Sequence, residues 1–224
     1  MRALLLGSIG VLAETSDLQR QAYNEAFAAH GLDWRWNVAT YCQHLATAGG
    51  QRRLRAVFGD QLSDHDIEQI HQHKQAAFSE LLANGISLRS GIGEAVDIAR
   101  SRGLTLGLIT TTTPNTLSVI RTALSGALDF GAFDLITTKT DVVREKPHPD
   151  VYQLALRKLG LAASDAIAIE DTRTSQSAAT DAGLTCHLYA GDYAVTSGAS
   201  YLTDNPAATL ATALAGAPHH AAAE

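Results

Sequence analysis

Two rhythms of hydrophobic and polar positions run through this chain. The first is set by Ala3 to Thr15, ALLLGSIGVLAET, an apolar run broken by Gly7 and Gly10. A short apolar run closed by glycine and followed at once by a helical pattern predicts a buried parallel strand that delivers a turn to a site. In open α/β sheets, ligands sit at the carboxyl ends of such strands. The second rhythm starts at DLQRQAYNEAFAAHGL, where Leu18, Ala22 and Phe27 recur at helical spacing and Gly31 suits a C-cap. Trp34 to Gly85 repeats that spacing in YCQHLATAGGQRRLRAVFG and DHDIEQIHQHKQAAFSELLANG, with no strand pattern between.

From Gly91 onward, short β-rich runs return between helical segments: Leu104 to Thr110, Asp134 to Thr138, Ala166 to Asp171 and Leu184 to Tyr189. That order predicts parallel strands joined by right-handed crossovers. The expected architecture is a doubly wound α/β core, residues 1–14 plus 90–215, interrupted by an all-helical cap at 15–89. Residues 216–224, alanine-rich, read as a flexible tail. The chain crosses between core and cap near Ala13 to Ser16 and Gly85 to Gly91, and such crossings can act as hinges.

Composition narrows the functional classes. A net charge of −6 argues against general affinity for nucleic acid or an anionic membrane surface. No apolar run approaches the roughly 18 residues that span a bilayer, and Met1-Arg2-Ala3-Leu4 lacks the sections of a signal peptide. The reading is a cytoplasmic protein. Cys42 and Cys186 fall in different expected domains and read as small apolar residues. His71 and His73 lie two apart on a helix, point in different directions, and read as surface histidines.

Four polar residues stand where strands end: Thr110, Lys146, Glu170 and Asp171. Each has a local reading. Strand-end hydroxyls bond nearby backbone, a lysine before Pro147 sits in a solvated loop, and Asp171-Thr172 suits a helix N-cap. Together, three chemically suitable groups at three strand ends of one sheet make a phosphate site.

With these motifs in order, the chain resembles the haloacid dehalogenase-like phosphatases, most closely the CbbY branch of sugar-phosphate phosphatases. The resemblance implies that Thr110, with Thr111 beside it, and Lys146 bind the phosphoryl group, and that Glu170 and Asp171 help to hold magnesium. It implies an Asp-x-Asp-Gly loop where this chain has Gly7, Ser8, Ile9 and Gly10. The first aspartate of that loop attacks phosphorus and the second moves the proton. Gly7 has no side chain and Ile9 carries no proton, so aspartyl-phosphate chemistry is not expected, and the chain reads as a pseudoenzyme. Magnesium loses its position-7 ligand, which leaves Glu170 and Asp171 a weakened set, and no cofactor is expected. Strand alternation gives positions 7 and 9 one direction with Ser8 opposed to them, so Ser8 reads as an ordinary small residue in the loop.

The cap keeps more of the resemblance: Glu14, Arg20, the Gly49-Gly50 turn, Arg53, Lys74 and Arg89. Gln19, Gln51 and Ser90 replace a usual histidine, lysine and proline. The resemblance implies that the Gly-Gly turn, Arg53 and Lys74 face the second phosphate of a sugar; their local readings are a packed turn, a surface arginine and an exposed lysine. Three functions follow: a sensor or regulator that binds a phosphorylated sugar or phosphate, a scaffold for a protein partner, and a hydrolase of altered chemistry using Glu170 and Asp171.

Overall fold

The computed structural model describes residues 1–45, 47, 49–194 and 201–216. Five strands form one parallel sheet: β1 (Ala3–Leu6), β2 (Thr105–Leu108), β3 (Leu135–Ile136), β4 (Ala166–Glu170) and β5 (Thr185–Leu188), in the order β3-β2-β1-β4-β5. β1 is central, so its residues are buried on both faces and all four are apolar. Leu6 pairs with Leu108 on one side and Ile169 on the other, which places Gly7 between the carboxyl ends of β2 and β4.

Side-chain alternation divides the core into two layers. Leu4, Leu6, Leu106, Leu108, Ile167 and Ile169 face one layer, while Ala3, Leu5, Ala166, Ala168 and Cys186 face the other. Gly107 is small for a packing reason: a β-carbon there would come within 2.8 Å of Leu5 Cδ2.

Ten helices accompany the sheet among the described residues. α1 (Ile9–Leu12) follows β1 directly. α2 (Ser16–Ala29), α3 (Val38–His44), α4 (Gly50–Phe58) and α5 (Asp64–Ala83) form the cap segment, with no strand among its described residues. α6 (Ile92–Ser101), α7 (Pro114–Leu124), α8 (Asp150–Leu159), α9 (Arg173–Asp181) and α10 (Pro206–Gly216) alternate with the strands. Of the expected tail at 216–224, Gly216 ends α10 and the rest lies outside the described residues.

The cap has its own core of Tyr23, Phe27, Trp36, Tyr41, Leu54, Phe58, Ile67 and Ile70. Trp34 stacks on Phe58 at 3.8 Å between ring centroids, and Asn24 fixes Trp36 through bonds to its backbone N–H (2.8 Å) and carbonyl (3.0 Å). α5 belongs to both cores. Its first half gives Ile67 and Ile70 to the cap, and its second half gives Ala77, Phe78 and Leu82 to the sheet layer. Such shared burial ties cap position to core packing.

The two chain crossings are tied down as well. Glu14 accepts from the backbone N–H of Ser16 and of Asp192, both at 2.8 Å, linking the first crossing to the loop after β5. Arg89, on the second crossing, donates to the carbonyls of Gly10 (2.7 Å), Tyr189 (2.9 Å) and Ala190 (2.5 Å), and its guanidinium lies 3.6 Å from the Tyr189 ring centroid. All three acceptors are backbone oxygens of the core, so Arg89 holds the site's loops together and spends its donors there.

Candidate functional site

β1 ends at Leu6, and the chain turns into α1 within two residues. The turn defeats strand alternation. Ser8 faces into the site, contrary to the extrapolated strand pattern, because the backbone has already left the strand. Its hydroxyl donates to Asp171 Oδ1 and to Glu170 Oε2 (3.2 Å), and its backbone N–H donates to Glu170 Oε2 (3.1 Å).

Glu170, fully buried at the end of β4, is the centre of this edge. Its other oxygen accepts from Lys146 Nζ (2.5 Å) and from the Tyr152 hydroxyl (2.5 Å). A carboxylate has about four acceptor directions, and four donors reach this one. The same carboxylate stands where Gly7 lacks a side chain: a β-carbon at residue 7 would overlap its atoms, and one at Gly10 would overlap Asp171.

Lys146 is buried, not the solvated loop lysine of its local reading. Besides Glu170 it donates to the Ile109 carbonyl at 2.7 Å, and its ammonium lies 5.0 Å from the Tyr152 ring centroid. Its charge is matched by Glu170. Tyr152 is pushed well above the usual phenol range by burial and by the Glu170 charge, so it stays a neutral donor. Asp171 keeps some exposed surface, yet its carboxyl is desolvated and lies beside Glu170. Those two effects, burial first, raise it to about 6 against the Ser8 hydrogen bond.

Thr110 is buried beyond the end of β2. Its hydroxyl accepts from the Thr112 N–H at 3.0 Å, its own N–H donates to Thr137 Oγ1 at 3.0 Å, and Thr137 returns a bond to its carbonyl at 2.9 Å. The local reading of Thr110 is thus the bonding present, with Thr111 half-buried beside it. Thr113 caps α7 by accepting from Thr116 N, and Thr172, not Asp171, caps α9. Asp171 is therefore free of a capping role and turned to Ser8.

Magnesium does not fit these residues. Among the described residues two carboxylates reach the edge, and Glu170 is saturated by Lys146, Tyr152 and Ser8. No group of three or more histidines, cysteines or acidic residues suited to a metal occurs among the described residues.

The second cluster lies in the cap. Lys74 is 4% exposed, against its local reading as a surface lysine. It donates to the side-chain oxygens of Gln19 and Gln75 (3.1 Å) and lies 5.1 Å from the Tyr23 ring centroid and 4.9 Å from that of Phe78. Arg53, half-buried, donates to the His44 carbonyl (2.9 Å) and the Tyr23 hydroxyl (3.3 Å). Neither cation forms an ion pair with an acidic residue among the described residues. Gly49, at φ +87°, is the residue just before α4, and a β-carbon at Gly50 would meet His71 Cε1 at 2.5 Å and the Tyr23 hydroxyl at 3.1 Å. His71 is thus a partly buried member of this cluster, not a surface histidine, and its Nδ1 is buried without a hydrogen-bond partner. Burial and the Lys74 charge lower its pKa, which keeps the ring neutral near pH 7.

The fold therefore brings the candidates together in two groups. Gly7, Lys146, Glu170 and Asp171 meet at the sheet edge, with Thr110 beyond the adjoining strand end; Gly49, Gly50, Arg53 and Lys74 meet in the cap. Glu14, Arg20 and Arg89 are spent on structure: Arg20 pairs with Asp17 at 2.9 and 2.6 Å and donates to the Trp36 carbonyl at 3.2 Å. Sequence reasoning missed Tyr152, Tyr23 and His71. His71 and Lys74 are three apart on α5, and Gln19 and Tyr23 four apart on α2, so helical spacing marks two of the three. Tyr152 carries no such signal; it reads as an apolar-face residue of α8.

Comparison with known proteins agrees with this fold. Residues 1–183 match the family model of the haloacid dehalogenase-like hydrolases. The chain belongs to that family. Within the family it is 37% identical to Protein CbbY of Rhodobacter capsulatus over 197 residues, 86% of this chain and 87% of that protein. The crystal structure of CbbY from Rhodobacter sphaeroides in complex with phosphate superposes with a TM-score of 0.81 at 36% identity, covering 92% of this chain and 96% of that one. A mutant of the same CbbY, crystallised with xylulose-(1,5)bisphosphate, matches with the same score and coverage. The family hydrolase fold is thus present together with a first loop that lacks aspartate. No helix among the described residues is long and apolar enough to cross a membrane.

Proposed function

We propose that this CbbY-type hydrolase homologue binds a phosphorylated sugar and does not hydrolyse it by the aspartyl-phosphate route. The observation that carries the first half is the cap cluster, where Arg53 and Lys74 flank Tyr23 with no acidic partner among the described residues. Buried or half-buried cations without counter-ions favour an anion that supplies one. The second half rests on Gly7 and Ile9, which supply neither nucleophile nor proton, and on Glu170, whose carboxylate fills the vacated volume. Related CbbY structures carrying phosphate and xylulose-(1,5)bisphosphate suggest a sugar bisphosphate as the ligand class.

The sheet edge contributes less charge to binding than the sequence suggests. Lys146 is matched by Glu170, so an anion there relies on the backbone of the Thr110 to Thr112 loop. Binding is therefore independent of magnesium. The test is a melting scan of the full chain with xylulose-(1,5)bisphosphate. A ligand present at one hundred times its dissociation constant stabilises the fold by about 2.7 kcal/mol. The shift should persist in chelator and disappear in Arg53→Ala; no shift at millimolar ligand would defeat the reading and leave the protein-partner scaffold in its place.

The hydrogen bond from Ser8 to Asp171 favours one second reading, hydrolysis by an altered route through the acidic pair. Its signature is ester turnover lost in both Ser8→Ala and Asp171→Asn.

A further inference from the structure

One ion pair crosses from cap to core among the described residues: Arg52 Nη2, in the first turn of α4, lies 3.6 Å from Glu145 Oε2. The charges beside each partner are committed elsewhere. Arg144 donates to Asp150 at 2.7 and 3.0 Å and Lys146 pairs with Glu170, while in the cap Arg55 pairs with Asp64 and Gln51 donates to Glu68. Glu145 therefore finds its cation across the seam.

The pair joins the two candidate clusters. Glu145 directly precedes Lys146 of the sheet edge, and Arg52 directly precedes Arg53 of the cap. The Arg52 guanidinium also lies over the glycine turn, since a β-carbon at Gly49 would come within 3.0 Å of its Nε and 3.1 Å of its Nη2. The lysines of both clusters are closed off from water, whereas Arg52 is exposed and Glu145 half-buried. An anion thus reaches those lysines only where cap and core part. The Gln75 to Thr116 hydrogen bond (3.3 Å) joins α5 to α7 across the same seam without charge, so the ion pair is the contact for which an anion can compete.

We propose that Glu145 is an internal anion that closes the seam by pairing with Arg52, and that an anionic ligand displaces it. The ligand class rests on the sugar-phosphate reading; the closure rests on the ion pair alone. A phosphate arriving from solvent meets two opposed effects, because Arg52 attracts it while Glu145 repels it and holds the same arginine. Removing the Glu145 charge opens Arg52 to the ligand and loosens the seam, so both consequences favour binding. An exposed pair of this kind shifts an equilibrium by about two- to fivefold. Salt weakens it, since the screening length falls from about 10 Å at 0.1 M to about 3 Å at 1 M.

Hydrogen exchange of the full chain, read by mass spectrometry with no ligand added, tests the closure. At low salt, Glu145→Gln and Arg52→Gln should each speed exchange about two- to fivefold in the peptides carrying Ser8, Thr112 and Lys146. The charge-swapped pair, Arg52→Glu with Glu145→Arg, should return exchange towards the wild-type rate. Salt at about 1 M should speed the wild type and leave the single variants unchanged. Equal exchange in the wild type and both single variants, or no recovery in the charge-swapped pair, overturns the closure. Calorimetric titration with xylulose-(1,5)bisphosphate tests the displacement: Glu145→Gln should bind about two- to fivefold more tightly than the wild type, and equal or weaker binding overturns it. A bisphosphate that binds neither protein defeats the sugar-phosphate reading itself, and the exchange rates then decide the closure alone.

Discussion

The carboxylate of Glu170 occupies the volume that a side chain on Gly7 would need. A β-carbon at residue 7 would overlap Glu170 Cδ and both carboxylate oxygens, and the four donors on those oxygens hold the group there. A satisfied buried ion pair thus lies directly against the backbone of Gly7.

Gly7→Ala is accordingly expected to destabilise the fold. Overpacking a closed site costs about 1–3 kcal/mol, and the expected loss lies in that range. Urea unfolding checks it: in a Glu170→Ala background the added cost of Gly7→Ala should shrink, whereas the same cost in both backgrounds would mean that the two residues do not share that space.

Lys146→Met should be more damaging, because it leaves Glu170 charged, buried and short of its cation. Breaking one side of a buried pair costs about 3–5 kcal/mol. The double variant Lys146→Met with Glu170→Gln should regain most of that in the same unfolding assay, and its failure to do so would place the role of Lys146 in packing.

Asp171 gives a pH signature. Its pKa is raised from 3.8 to about 6 in the fold, so the native state binds more protons than the unfolded state between those values. Its contribution is fully present below about pH 4 and is lost as pH rises through 6. Asp171→Asn should therefore gain on the wild type across that window, by about 2–3 kcal/mol at pH 7, at 1.36 kcal/mol per pKa unit. Chemical denaturation at pH 4 and pH 7 measures the difference; an equal effect at both would contradict it.

Lys74 has the opposite origin and a different window. Its pKa falls from 10.5 to about 7 on folding, so the charged form is penalised and stability rises as pH climbs from about 7 to 10.5. At neutral pH, Lys74→Met should raise stability by a few kcal/mol, because the variant escapes the cost of burying or deprotonating the ammonium. Melting scans at pH 6.5 and pH 10 should show that advantage shrinking at the higher pH.

Much of the fold was legible because parallel strands buried on both faces must be apolar. The expected runs at Leu104, Asp134, Ala166 and Leu184 each contain an observed strand, shorter by one to two residues at one or both ends where the chain turns into loops. The sheet-edge residues were legible from their position at strand ends. Their partners were not: nothing local tells that Lys146 spends its charge on Glu170, or that Tyr152, on a helix, completes the same carboxylate. Ser8 was misjudged because strand alternation was carried beyond Leu6, where the strand has ended. The local reading of Lys74 as exposed follows from the usual place of long charged residues; the packing of α2 against α5 shows it buried.

The central claim, ligand retained without turnover, is tested most directly by phosphorus NMR of xylulose-(1,5)bisphosphate mixed with stoichiometric protein and excess magnesium. The account expects both phosphate resonances to shift or broaden on binding and to persist over hours, with no inorganic phosphate released. Release of inorganic phosphate that stops in Lys146→Ala or Asp171→Ala would contradict it and show a working hydrolase at this sheet edge.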